Sequence, residues 1–585
     1  MRYLTGKKMR IIRNTIEERK ESMATGKALD GNQYAGNPHV QFDAGKTAPT
    51  ATPRRGSLLC RNAVIALAAT AAVMSASAAQ TLRVVSRAED KTGDWADAYL
   101  SIADAIDAAS AGTSANNCDT ILVRTGTYNI AETIVANKAF LKIRSVNPDT
   151  GEQDRDNTIL DGGGTTAIME ASARLDIAGF TFANGYTASE TFVAKAAAFT
   201  MGTSYCVVSN CVFRDNKSVN TRGTCVCCEY KNRAKLYGCV FTNNTQEITV
   251  SGNKVYAQGC AVVLRAGGTV ENYAEMSGCL FDDNSSSGLK TAGGIVTAYH
   301  AKIEDCTFLT NSVSPTASGE TSSGGLVSLE ENVTLANCRF SCNGAPSGDG
   351  YIVGSVLNVG SSCVVSNCVF DVVKDENATN RKIGTVGIWG DGSQFVGCRF
   401  TRVSMSGGSG MIYLYSKNDA LFRNCLFADI DKTGGDCTVI RQNKSSGVGV
   451  RVENCTFAGD SGRMVYCADE SSNYFENSAI TGTIRPGNHS VATNCCLVAL
   501  LNGPNDIGNF TIDSVPGGNL KFADTANGDY HLLRNSPLRE KGVIRPWMMD
   551  GATDIDGNPR IYAKMPDIGC YECQIPFPGF ALFVR

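Results

Sequence analysis

Nine segments of the chain share one pattern of apolar and polar positions, each built on a Cys-x-Phe triplet at Cys211, Cys239, Cys279, Cys306, Cys338, Cys368, Cys398, Cys425 and Cys455. The intervals between them run 28, 40, 27, 32, 30, 30, 27 and 30 residues. Three positions before the Cys every copy has an apolar side chain, from Val208 and Leu236 to Phe422 and Val452. Five before it stands a small or β-branched one, from Cys206 and Ala234 to Ala420 and Val450. A spacing of two places both on one face of a strand. The residue just before the Cys is Asn210, Gly238, Gly278, Asp305, Asn337, Asn367, Gly397, Asn424 or Asn454, all of types that tolerate φ > 0. A left-handed bend there returns Cys and Phe to the inside. The unit is strand, bend, strand, and its recurrence predicts a solenoid with about three short strands per coil.

Other segments extend this rhythm. Trp95 to Ala109 carries Tyr99, Ile102, Ala105, Ile106 and Ala109 at helical spacing and predicts a short amphipathic helix. Short strand signals follow at 119–123, 126–128, 133–135, 141–143, 158–162 and 175–182, separated by turns. Glycine pairs Gly293-Gly294 and Gly324-Gly325 open further strands between the Cys segments. The first five Phe residues of the triplets are followed three later by Asn216, Asn244, Asn284, Asn311 and Asn343, which predicts a ladder of stacked amides.

The opening helix and strands resemble the start of right-handed parallel β-helix proteins of the pectate-lyase-like superfamily. The resemblance implies an all-β, single-stranded parallel β-helix with an N-terminal capping helix. The F-x-x-N and G-G-x-x segments are similar to the repeats of the polymorphic outer-membrane-protein family of bacterial autotransporter adhesins. Near the C-terminus, Asn535-Ser536-Pro537, Asp554-Ile555-Asp556-Gly557-Asn558-Pro559-Arg560 and Asp567-Ile568-Gly569-Cys570-Tyr571-Glu572 resemble the ending of many exported bacterial β-helix proteins. The expected organisation is a leader and signal peptide at 1–78, the capped β-helix at 79–534 and a C-terminal cap or anchor-associated segment at 535–585.

The signal-peptide expectation rests on Arg54, Arg55 and Arg61 before the apolar run Ala63 to Val73, with Ala76-Ser77-Ala78 as the small-x-small site. No later stretch is long enough for a membrane helix, so the mature chain is expected to be secreted or held at a cell surface. A net charge of -3 with interspersed signs gives no footprint for nucleic acid.

The 24 Cys of an exported chain would ordinarily suggest a disulfide framework. Cysteines that recur at one phase instead stack at ~4.8 Å, beyond the Cβ separation of about 3.5–4.5 Å that a disulfide needs. The column is therefore expected to be buried free thiol. Pairs off the column, Cys437 with Cys467 and Cys570 with Cys573, are expected disulfides, as is a bridge within the group Cys225, Cys227 and Cys228.

Candidate chemistry is sparse. Asp215, Asp282 and Asp283 lie beside the Asn column and, with amide oxygens, are candidate Ca²⁺ ligands; solvated turns are the competing reading. No other cofactor is indicated. Lys235, Glu275 and Lys302 fall on the outward face with alternating sign, as cross-strand ion pairs do. The four His lack the Gly-His-Gly setting of polygalacturonases, and Arg485-Pro486 and Arg545-Pro546 do not extend to the Arg-x-Pro-x-x-Arg motif of pectate lyases. The expected function is adhesin-like or glycan-binding and non-enzymatic, with a polysaccharide or cell-surface glycan as partner. A polysaccharide lyase or glycoside hydrolase acting on acidic polysaccharide is the alternative.

Overall fold

The computed structural model describes residues 79–576 except 203–204, 230–232, 252–255, 268–272, 289–291, 316–320, 324, 342–350, 372–373, 376–381, 407–409, 415–418, 434–437, 443–446, 460–461, 502–505 and 550. The expected leader and signal peptide, Gly324, Asn343, Cys437 and the tail 577–585 lie outside the described residues.

The described chain is a right-handed parallel β-helix. Three long sheets form its walls among the described residues. Sheet 1 has 15 strands, from Thr81–Val84 to Val491–Thr493; sheet 2 has 15, from Gly126–Asn129 to Phe510–Thr511; sheet 3 has 13, from Ile134–Ala136 to Thr483–Arg485. A five-stranded flank sheet, from Tyr186–Ala194 to Ser312–Pro315, widens the coils that carry the Asn column. The N-terminal cap is an α-helix at Ile102–Ala108, shorter than the sequence predicts. Ser101 caps it by accepting from the Asp104 amide, while Tyr99 is drawn into a parallel bridge with Val84. Ile102, Ala105 and Ile106 bury against Leu82 and Val84 at the end of the core.

Every bend predicted before a triplet Cys is left-handed, with φ between 50° and 66° from Asn210 to Asn454. The bend lets each strand of sheet 1 turn into a strand of sheet 2 with no break in coil-to-coil pairing. Phe180-Thr181-Phe182, which the sequence reading runs into one strand from Leu175, is likewise divided from it by Gly179 at φ 84°. A second left-handed column was not legible beforehand: Asn184, Asp215, Asn243, Asp283 and Thr310 turn the chain again two residues after each Phe.

Ten phenylalanines, Phe182 to Phe457, stack in register with ring centroids 4.4–5.0 Å apart. Beside them runs the predicted amide ladder. Asn216 Nδ2 donates to Asn244 Oδ1 at 2.9 Å, Asn244 to Asn284 at 2.8 Å and Asn284 to Asn311 at 2.9 Å, and each also donates to a Phe carbonyl of the preceding coil. These amides are buried and would be costly if unpaired.

All the described cysteines are free and buried. The triplet thiols donate to backbone carbonyls, Cys211 to Ser209 O at 3.2 Å and Cys368 to Ser366 O at 3.3 Å. Of the expected disulfides off the column, Cys570 with Cys573 and a bridge within Cys225, Cys227 and Cys228 do not form, while Cys437 of the third pair lies outside the described residues. Cys570 packs with Leu426, Tyr530 and Ile555, whereas Cys573 packs with Leu538 and Ile568 in a different cluster. Cys225 and Cys228 face the core while Cys227 faces outward against Ala196 and Val263; alternation along Val226–Cys228 separates Cys227 from Cys228, and Cys225 precedes that strand. Cys467 is likewise a free, buried thiol.

The C-terminal segment does more than end the coil. It lies along the outer face of sheet 2, covering Leu426, Ala428, Ala458, Ala479 and Cys496. Asn477 exchanges two hydrogen bonds with Val543 (2.9 and 2.7 Å), Asn424 Nδ2 donates to Thr553 O (2.8 Å), and the Cys570 amide donates to Thr456 Oγ1 (3.0 Å). The acidic residues of its motif hold backbone. Asp554 accepts from the amides of Asp556, Asn558 and Glu572, Asp567 from those of Glu540 and Cys573, and Glu572 from that of Asp567, around a fully buried Arg560. His531 ties the segment together, with Nδ1 2.5 Å from Asp529 and Nε2 2.5 Å from Asp556, which Arg399 of sheet 2 also binds.

Two measurements check this fold. Burial pushes the thiols of Cys206, Cys260 and Cys467 up to about 12 and those of Cys279, Cys368 and Cys425 well up. Since every described thiol is buried, native protein purified without reductant should give almost no reaction with an aromatic disulfide reagent at pH 8, and full thiol release in denaturant. A shortfall in denaturant would reveal disulfides. Burial pulls the His531 imidazole down, but the Asp529 and Asp556 carboxylates outweigh it and raise its pKa. Its stabilisation is thus full below the unfolded value of about 6.5 and is lost as pH rises through the higher folded value. Glu572, raised to about 8 chiefly by burial, acts in the same direction. The expected signature is accordingly a fall in melting temperature with rising pH that is shallower in His531→Gln than in the parent.

Candidate functional site

Alternation along the strands of sheet 1 sends every second side chain to solvent, and parallel pairing lines these up from coil to coil. Register sets Lys142, Asp176, Val207, Lys235, Glu275 and Lys302 in one outward column on six successive strands. Arg144, one pleat along, forms an ion pair with Asp176 at 2.5 Å. The predicted pairing of Lys235 with Glu275 is present at 2.8 Å; Lys302 instead turns along its own strand to Glu304 at 2.9 Å. Glu275 also accepts from the Tyr237 hydroxyl at 2.5 Å.

At the upstream end of these strands the column opens into a groove of about 120 Å³ lined by Phe140, Lys142, Arg174, Asp176, Tyr205 and Val207 among others. The Arg174 guanidinium lies between two rings, 4.6 Å from the centroid of Phe140 and 4.3 Å from that of Tyr205. Lys235 Nζ stands 5.9 Å from the Tyr205 ring. Phe140 has φ 60°, a left-handed backbone that a bulky aromatic residue adopts rarely. The groove thus combines aromatic surface with the Arg174 guanidinium, the Lys142 ammonium and the Asp176 carboxylate, and Lys235 stands at its edge beside Tyr205. Sequence reasoning found Lys235 and Glu275 but missed Phe140, Arg174 and Tyr205, because each precedes its strand and falls outside the repeated positions.

The same charges determine what the groove does to a proton. Lys235 is held above its ordinary pKa, first by its hydrogen bond to Glu275. Tyr237 is raised by burial and then by Glu275. Burial works against the Glu275 carboxylate, yet its bonds to Lys235 and Tyr237 leave its pKa lowered. Lys235 stays an ammonium, Tyr237 a phenol and Glu275 a carboxylate around neutral pH.

The candidate calcium ligands are not gathered. Asp215 and Asp283 occupy the second bend column two coils apart, with Asn243 between them. Asp215 pairs with Arg214 at 2.6 Å and accepts from Asn243 at 2.7 Å, and Asp282, beside Asp283, accepts from Thr310. Among the described residues no group of three or more His, Cys, Asp or Glu side chains is placed to hold a metal ion. Asp215 also edges an open recess of about 450 Å³ with Asp161, Gly163, Asn184 and Lys217. A further charged group lies on and beside sheet 3: Arg265 forks onto Glu330 two strands away in the same sheet at 3.1 and 2.9 Å, and Arg222 of the flank sheet pairs with Glu229 at 2.5 Å. On sheet 3, Arg441, Arg463 and Arg485 stand 5.0, 5.9 and 4.8 Å from the Tyr466 ring, but the sheet 1 groove is where a guanidinium lies between two aromatic rings.

Comparison with known proteins agrees with the coil architecture. A family model described as right handed beta helix region matches residues 238–381. A search of curated proteins gave no match. Among solved structures, an alginate lyase from Paenibacillus sp. str. FPU-7 is similar at 11% identity over 61% of this chain and 97% of its own, with a TM-score of 0.29. Pectate lyase Pel9A is similar at 13% identity over 85% and 97%, with a TM-score of 0.29. The catalytic domain of a GH87 α-1,3-glucanase in complex with nigerose gives 10% identity over 68% and 64%, with a TM-score of 0.23.

The Lys235–Glu275 pair is partly exposed, so its stabilising effect is small. A double-mutant cycle with Lys235→Met and Glu275→Gln should give a coupling of about 0.5 kcal/mol in urea denaturation. In Glu275→Gln, the Lys235 ammonium should titrate at lower pH by NMR, since its first support is gone.

Proposed function

We propose that this is an exported or cell-surface β-helix protein that binds acidic glycan on the outer face of sheet 1 and does not cleave it. The observation that carries the reading is the Arg174 guanidinium fixed between Phe140 and Tyr205, with Lys142 lining the same groove and Lys235 beside Tyr205. A guanidinium offers a carboxylate a forked pair of donors, and the flanking rings supply flat apolar surface for a sugar face. Elimination from a uronate would need a base ready to accept a proton near neutral pH. Here Lys235 and Tyr237 are held protonated and both engage the Glu275 carboxylate, which lowers its readiness to take a proton and supports binding over turnover. The leader and signal peptide expected at 1–78 would fit export of coils whose side walls meet the ligand.

Calorimetry with short oligosaccharides of polygalacturonate and alginate tests the reading. Saturable binding is expected, weakened roughly tenfold or more by Arg174→Ala, a loss of ~1.4 kcal/mol or above. Neither unsaturated product nor new reducing ends should appear. Turnover of either polymer would replace the binding reading with that of a polysaccharide lyase or hydrolase, and binding indifferent to Arg174 would remove the groove from it.

A further inference from the structure

We infer that the outer face of sheet 1 carries a second acidic-glycan cluster, formed by Tyr474, Arg451, Arg545 and Trp547, and that one extended chain spans both clusters. The inference rests on the binding reading of the Arg174 groove.

The second cluster is assembled from two parts of the chain. The strand Ser471–Glu476 turns Tyr474 and Glu476 outward, and register places them beside Arg451 and Glu453 of the preceding coil. Tyr474 is 45% exposed, a large ring left in solvent on an otherwise polar face. Glu453 is held from both sides, by Arg423 at 2.8 Å and Arg451 at 3.0 Å, and its side chain is only 7% exposed. The C-terminal segment adds Arg545, which binds Glu476, and Trp547, whose ring lies 4.4 Å from the Arg423 guanidinium. The two carboxylates lie below the surface, whereas the side chains of Arg451 and Arg545 are 54% and 41% exposed. Three guanidiniums against two carboxylates leave one positive charge in excess, and solvent meets chiefly guanidinium and aromatic surface. That is the chemistry of the Arg174 groove repeated with unrelated residues.

Geometry places both clusters on one track. Val207 lies on the fifth strand of sheet 1 and Tyr474 on the fourteenth, nine ladder steps apart, or roughly 43 Å at ~4.8 Å per step. Between them the outward residues of three successive strands, Thr334, Ala336, Val364, Ser366, Gln394 and Val396, are uncharged. A linear polyuronate is stiff, repeats its carboxylate at every residue and can meet both clusters at once. Binding at the second is then intramolecular, and affinity rises by a factor on the order of a hundred or more without any new contact.

Titration of the full chain with a uronate tetrasaccharide and with long polyuronate tests this. The tetrasaccharide should fill two sites in the parent protein and one in Tyr474→Ala/Arg451→Ala, both of whose side chains are half exposed. The long polymer should bind the parent about a hundredfold tighter than the tetrasaccharide, and the variant should lose that advantage. Trp547→Ala, with its fold checked by circular dichroism, should repeat the loss. A single tetrasaccharide site in the parent that Arg174→Ala abolishes would overturn the second cluster and leave the binding reading intact. Two sites without polymer advantage would overturn the bridging. No binding of either ligand would overturn both.

Discussion

Coil-to-coil register is the constraint on which the structure depends. Each backbone amide of a strand finds its acceptor on the next coil, so every coil must present its strands at the same place however long its loops are. The 40-residue interval from Cys239 to Cys279 still sets Glu275 opposite Lys235. Such tolerance is possible because the left-handed residues at the corners fix where each strand begins and ends, and extra length is expelled between them. The Phe stack and the Asn ladder then reinforce one spacing: a ring or an amide displaced along its strand would lose both neighbours at once.

What was legible in the sequence follows from that constraint. Interior positions answer to identical neighbours above and below, so Phe213, Phe241 and Phe281, or Asn216, Asn244 and Asn284, recur and can be aligned. The corner before the Cys was equally readable, since few residue types accept φ > 0. The corner after the Phe was not, because Asp215, Asn243 and Thr310 look like ordinary surface residues until the backbone is seen. Outward positions answer mainly to solvent. Lys235 and Glu275 could be placed on one column from spacing, but the rings around Arg174 come from residues outside any repeat. The lateral position of the C-terminal segment was hidden too: Asp554, Asp567 and Glu572 read as acidic motif residues, and only the fold shows that they accept backbone amides.

The thiols illustrate how one geometric argument succeeds and fails. Stacking at the rung spacing keeps Cys211 and its successors apart as free thiols, as expected. The same alternation of faces also separates Cys227 from Cys228, and cluster packing separates Cys570 from Cys573, where proximity in sequence had suggested bridges. Among the described residues the cysteines contribute by burial rather than by crosslinks, and the thiols act as small apolar groups that fill the space beside the rings.

Because the interior is committed to repetition, recognition has to reside where repetition is broken on the outside. A uniform outward column of one charge would repel itself at every rung, which is why Lys235 faces Glu275 and Arg423 faces Glu453. Those pairings neutralise the wall and leave little for a ligand to grip. The exceptions sit where a non-repeating residue intrudes on the column: Phe140 and Tyr205 beside Arg174, and Trp547 of the C-terminal segment beside Arg423. In both places aromatic surface shares a guanidinium, and at the second cluster Arg451 and Arg545 also present free edges to solvent. The same pairings that make the wall stable also keep Lys235 protonated and Tyr237 a phenol, so the charge state of the column is set by the contacts that hold its register.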